Sequence, residues 1–156
     1  MTHKELIESG YRWCLSKCAF AFKDLVTQNN ETPDVIGFNS SGSFLLEAKT
    51  TKRDFLNEHK KWARRNPSLG MGDWRFYITK KGLLKIEELP DMWGLIEVNE
   101  RGKARVKYNP FGKGNIYSHW KRNKKNERAE YWMLYSALRR IQEQGLMDCI
   151  YPKNRI

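Results

Sequence analysis

Asp34, Glu47 and Lys49 belong to two short, otherwise apolar runs, 34–38 and 43–50, joined by the turn formers Asn39, Ser40, Ser41, Gly42 and Ser43. On a strand, side chains two apart share a face, so Glu47 and Lys49 point one way with Leu45, while Phe44, Leu46 and Ala48 point the other. An antiparallel hairpin lays the start of its first strand beside the end of its second, which carries Asp34 toward Glu47 and Lys49. Two neighbouring carboxylates repel each other and call for a cation. Oxygen-rich ligands suit Mg²⁺ or Mn²⁺, hard ions that keep several waters and can also touch a phosphate. A lysine beside them can orient or deprotonate a metal-bound water, or stabilise charge on an attacked phosphodiester. The chemistry this spacing could perform is therefore metal-assisted phosphodiester hydrolysis. The competing reading is a surface salt bridge of Lys49 with Glu47 or Asp34, which contributes little.

The surrounding elements must hold these groups together. Apolar spacing over 2–18 predicts an amphipathic helix through Leu6, Tyr11, Trp13, Cys14 and Leu15, with Gly10 inside it. Residues 20–28 read as a strand and 34–38 with 43–50 as a hairpin around a five-residue connection. From Thr51 the period becomes helical to Arg65, with Thr51 and Asp54 available for capping. A strand at 74–79, a strand, turn and strand within 93–109, and a helix over 127–144 complete the order α-β-β-β-α-β-β-β-α. The last helix sets Ala129, Trp132, Met133, Ser136 and Leu138 at roughly helical intervals. Such a chain is one α/β domain, 1–156, with a mixed sheet covered by helices.

The 156 residues carry 29 Lys and Arg against 18 Asp and Glu, a formal charge of +11, which favours a polyanionic partner such as nucleic acid. Lys52, Arg53, Lys60, Lys61, Arg64 and Arg65 follow closely on Lys49 and could hold phosphates on either side of a scissile one. His59 among them reads as an exposed helical histidine or a proton shuttle. Between 101 and 125 nine cations and no acid interleave with Tyr108, Phe111, Tyr117, His119 and Trp120, and Lys121 and Arg122 extend the DNA-facing set. Those rings either grip unpaired bases or pin a long loop to the core. Trp62 and Trp74 are assigned to packing. Cys14, Cys18 and Cys149 have spacings that suit core thiols in a reducing compartment better than disulfides or zinc. The charged start and the lack of an eighteen-residue apolar run point to a cytoplasmic protein outside the membrane.

Pro33-Asp34 followed by Glu47-Ala48-Lys49 resembles the motif of the PD-(D/E)XK nuclease superfamily. Over about residues 30–145 the chain is also similar to small phage and prophage nuclease-like proteins related to the mitomycin-resistance, MmcB-like DNA-repair branch. There a comparable run continues through an Asp-Phe pair, here Asp54 and Phe55, to a Lys-Trp pair, here Lys61 and Trp62. The resemblance implies a restriction-endonuclease-like core and a Mg²⁺ or Mn²⁺ site. It implies DNA cleavage in repair, recombination or host-DNA processing. Asp34 and Glu47 would be metal ligands and Lys49 the catalytic lysine, with Glu8, or next to it Glu5, completing the site from the first helix. No target-recognition domain is legible, and cutting both strands of a duplex would call for a homodimer. Some members of this superfamily have lost catalysis, so a DNA-binding or partner-binding module that keeps the fold is the rival expectation.

Overall fold

The computed structural model describes residues 1–118 and 120–153, so His119 lies outside the described residues, as does the side chain of Trp62. A single six-stranded sheet runs in chain order through β1 (Phe20–Lys23), β2 (Val35–Asn39), β3 (Gly42–Lys49), β4 (Trp74–Lys80), β5 (Trp93–Val98) and β6 (Ala104–Tyr108). Strands β1 to β3 form an antiparallel meander, β3, β4 and β5 run parallel, and β6 returns antiparallel. The architecture is thus the expected mixed sheet flanked by helices.

Alternation along β3 sorts the core into two halves. Phe44, Leu46 and Ala48 meet Leu6, Ile7, Trp13 and Cys14 of α1 (His3–Leu15) on one side. Leu45, with Tyr77 and Leu95 from the next two strands, meets Phe55 of α2 (Lys52–Asn57) and Ala129 and Met133 of α4 (Glu127–Glu143) on the other. With neighbours on both faces and both edges, β3 is the buried spine of the domain. Gly10 lets α1 approach it: a Cβ there would sit 3.0 Å from Leu46 Cδ2 and 3.2 Å from Ile78 Cδ1. Helix α1 starts with a reciprocal capping box between Thr2 and Glu5.

Four expectations need correction. The hairpin connection is two residues, not five, because Asn39 pairs with Gly42 and its side chain accepts from the Ser41 and Gly42 N–H groups. Strand β1 stops at Lys23, where Asp24 adopts a left-handed φ of 49°. The helix expected over 51–65 is three pieces: α2, one 3-10 turn over Glu58–Lys60, and α3 (Trp62–Arg65), separated at Lys61, whose ψ of 139° is extended. Of the cysteines, Cys14 alone is fully buried; Cys18 is half-buried and Cys149 exposed, and all three are free thiols. No helix among the described residues is long and apolar enough to cross a membrane.

Candidate active site

The register of the hairpin decides the site. Val35 pairs with Leu46, so Asp34, one residue before β2, comes level with Glu47. The Asp34 Oδ2 accepts the Ala48 N–H at 2.7 Å and lies 3.4 Å from His3 Nε2 at the start of α1. Glu47 and Lys49 share the α2 side of the sheet, 2% and 3% exposed, with Lys49 Nζ 3.7 Å from Glu47 Oε2. The three residues singled out from sequence therefore gather at one end of the hairpin.

Two glutamates that sequence reasoning missed complete the cluster. Glu58, 1% exposed on the 3-10 turn, takes Lys49 Nζ at 2.6 Å. Glu31, in the loop before β2, takes Arg64 Nη1 at 2.7 Å and the Met71 N–H at 2.7 Å. Each nitrogen of the Arg64 guanidinium meets a different carboxylate, with Nη2 3.1 Å from Glu47 and Nε 2.9 Å from Glu58. Its Cζ lies over the Trp93 ring, 4.6 Å from the centroid, and that ring stacks on Tyr77. Lys61, more than half exposed along its side chain, reaches Glu47 at 3.4 Å and Glu58 at 3.1 Å. The break at Lys61 is what turns Glu58, Lys61 and Arg64 inward together. One signal was available: Glu58 is the sole acid between Asp54 and Asp73 in a run dense with cations.

Electrostatics single out Glu47. Burial, with help from the nearby Asp34 and Glu58 charges, pushes its carboxyl up to about 7 against the pull of Arg64 and Lys61. Glu58 goes the other way: burial opposes its charge, but the Lys49 hydrogen bond and the Lys49, Arg64 and Lys61 charges hold it below the usual carboxylate range. Lys61 is raised, since Glu47 and Glu58 outweigh its partial burial. Glu31, Glu47 and Glu58 thus share Arg64, Glu47 and Glu58 also share Lys49 and Lys61, and Asp34 is met by His3 and the Ala48 N–H. For Glu47, burial outweighs the pull of its cations.

Other expected residues fall elsewhere. Glu8 pairs with Lys23, and Glu5 is spent on the capping box, so neither is described with Asp34 and Glu47. Both line an open cleft of about 1150 Å³ between α1 and the β5–β6 turn, which none of Asp34, Glu47 and Lys49 reaches. Among the described residues no group of three His, Cys, Asp or Glu is arranged to hold a metal ion. Arg53, Lys60, Arg65 and Lys121 are exposed. Lys52 pairs with Glu88, and Arg122 lies 3.7 Å from Asp73. Arg64 is turned inward, its side chain 6% exposed, and belongs to the site rather than to a phosphate track. Thr51 caps α2 by accepting the Asp54 N–H, whereas the Asp54 carboxylate takes the N–H of Thr50, one residue before the cap. In the basic arm, Phe111 is fully buried and Tyr117 packs edge-on to Phe44, so these two rings pin the loop; Trp120, 95% exposed, does not.

No family model matches the chain, and no curated protein matches it. Among solved structures, a protein of unknown function from Silicibacter pomeroyi is similar, with a TM-score of 0.55 and 16% identity over 100% of this chain and 99% of that one. At that identity the likeness speaks for the fold alone.

Proposed function

We propose that the protein is a Mg²⁺- or Mn²⁺-dependent deoxyribonuclease whose reaction centre is Asp34, Glu47 and Lys49. The observation that carries this reading is the burial of Glu47 beside Asp34 and Lys49, where desolvation first, and the Asp34 and Glu58 charges next, hold its acid near neutrality. Hard carboxylate oxygens on Asp34 and Glu47 fit such an ion, and those two residues would hold it. When bound, the ion supplies charge stabilisation at a phosphoryl oxygen and acidifies water. The chain's own groups do the rest. Lys49, fixed by Glu58, directs its ammonium at the charge that builds on the attacked phosphate. Arg64 holds the Glu47 carboxylate in place. Lys61 is the exchangeable counter-charge, free along half its length to leave Glu47 for a DNA phosphate. Exposed Arg53, Lys60 and Arg65 extend the phosphate track.

The test is incubation with single-stranded, duplex and branched DNA and Mn²⁺. Cleavage should disappear in both Asp34→Ala and Lys49→Ala; activity that survives both belongs to another site. A second reading, a DNA-binding module without catalysis, draws on the capture of both Glu47 oxygens by Arg64, Lys61 and Lys49. It predicts salt-sensitive DNA binding and no turnover with any divalent ion.

A further inference from the structure

The outward face of α4 takes no part in the cluster around Glu47. Ala129, Met133 and Ser136 turn that helix toward the core, yet Trp132 and Leu138, expected from their spacing to join them, are 36% and 49% exposed. Steps of three and four residues place Arg128, Trp132, Tyr135 and Arg139 on one stripe, with Tyr131 beside it. Tyr131 is 57% and Tyr135 44% exposed, so three large rings face solvent on two turns of helix. Arg128 lies 5.3 Å from the Tyr131 ring centroid and 5.9 Å from that of Trp132, and Arg139 lies 5.9 Å from that of Tyr135.

We propose that this stripe binds single-stranded nucleic acid, with bases stacking on Tyr131, Trp132 and Tyr135 and phosphates pairing with Arg128, Arg139 and Arg140. Charge complementarity is the first argument. Arg128 makes no ion pair among the described residues, and Arg139 meets only the exposed Glu143, at 3.7 Å. Arg140, anchored to the Val26 carbonyl, flanks a shallow hollow of about 140 Å³ that Trp132 and Tyr135 also line. Ring geometry is the second. The Tyr131 and Tyr135 rings lie within 18° of parallel with centroids 6.5 Å apart, and Trp132 stands edge-on to Tyr135, so the two tyrosine faces share an orientation. Flat rings backed by guanidinium groups offer their faces to any unpaired base, whereas the bases of a duplex have no free face to offer.

Binding at this stripe requires no cleavage, so it can be tested with chelator present and stands or falls apart from the nuclease reading. The experiment is fluorescence anisotropy of labelled oligothymidine, with a duplex and polyglutamate as comparison ligands. Tyr131→Ala combined with Tyr135→Ala should weaken oligothymidine binding about tenfold or more while leaving duplex binding unchanged. Tyr131→Phe combined with Tyr135→Phe, which keeps both rings, should retain wild-type affinity and so separates lost stacking from misfolding. Arg128→Gln should weaken binding and reduce the salt slope by about one. Unchanged oligothymidine affinity in the alanine pair, affinity lost equally in the phenylalanine pair, or loss confined to Trp120→Ala in the basic arm would each overturn the proposal. So would wild-type protein that binds polyglutamate but not oligothymidine, which would make the stripe a seat for an acidic protein.

Discussion

The two ends of β3 both carry buried ions, and they are built differently. At its start, Lys125 lies 2.6 Å from Asp73 and 2.8 Å from Glu130, and the backbone joins in: the Ser43 N–H donates to Asp73 and the Gly72 N–H to Glu130. Gly72 is suited to this, with a φ of 89° and no room for a Cβ, which would lie 2.5 Å from Leu45 Cβ. Next to it, Arg75 donates to the carbonyls of Pro67, Gly70, Met71, Gly72 and Lys124, although burial pulls its guanidinium down to about 10. At the far end, the described partners of Glu47 are side chains alone. A carboxylate woven into backbone donors fixes a loop. One held only by side chains can exchange its partners, which is what a reaction centre needs.

The largest test of this contrast removes an acid from the backbone-knit end. Glu130→Ala strands the Gly72 N–H and leaves Lys125 and the Ser43 hydroxyl with Asp73 as their remaining carboxylate, and should cost about 3 kcal/mol in urea unfolding while leaving cleavage per folded molecule unchanged. A loss below about 1 kcal/mol would erase the distinction between the two ends.

Next in size is a pH effect at the other end. Glu47 titrates near 4.5 when unfolded and about 7 when folded, so between those values the folded chain holds more proton and stability should fall as pH rises. Glu47→Gln should flatten that slope, by up to about 3 kcal/mol across the window, while abolishing cleavage. Glu58, whose folded carboxyl is lowered, works in the opposite sense: its contribution is complete above 4.5 and is lost as pH falls below it. Glu58→Gln should therefore weaken the acid-side loss and leave the slope above 4.5 to Glu47. Unfolding midpoints measured across pH separate the two residues. The smallest effect belongs to Lys61→Ala, which removes a half-exposed cation from Glu47 and should tighten Mn²⁺ binding about fivefold in a fluorescence-quenching titration.

Period and turn chemistry made the sheet, the hairpin, the facing of Glu47 with Lys49, and the final helix legible in sequence. What was not legible came from tertiary demands on polar residues. A run of six cations looks like a solvated helix, yet the helix breaks at Lys61 and Glu58 is turned in to Lys49. Glu31 sits in a loop with no periodic signal, and its partners, Arg64 and the Met71 N–H, are both distant in sequence. Glu8 fitted the resemblance, but Lys23 on the adjacent strand is its partner. The outward turn of Trp132 is equally hidden, since helical spacing gives an angle around the axis and not the width of the buried face.

Calorimetric titration of Mn²⁺ into the wild-type protein and into Glu47→Gln above pH 7 asks whether Glu47 takes up a divalent ion. A single binding event in the wild type that vanishes in the variant is the predicted result. Equal heats from both proteins, or no binding by the wild type, would contradict it and leave the carboxylates as internal partners of Lys49, Lys61 and Arg64.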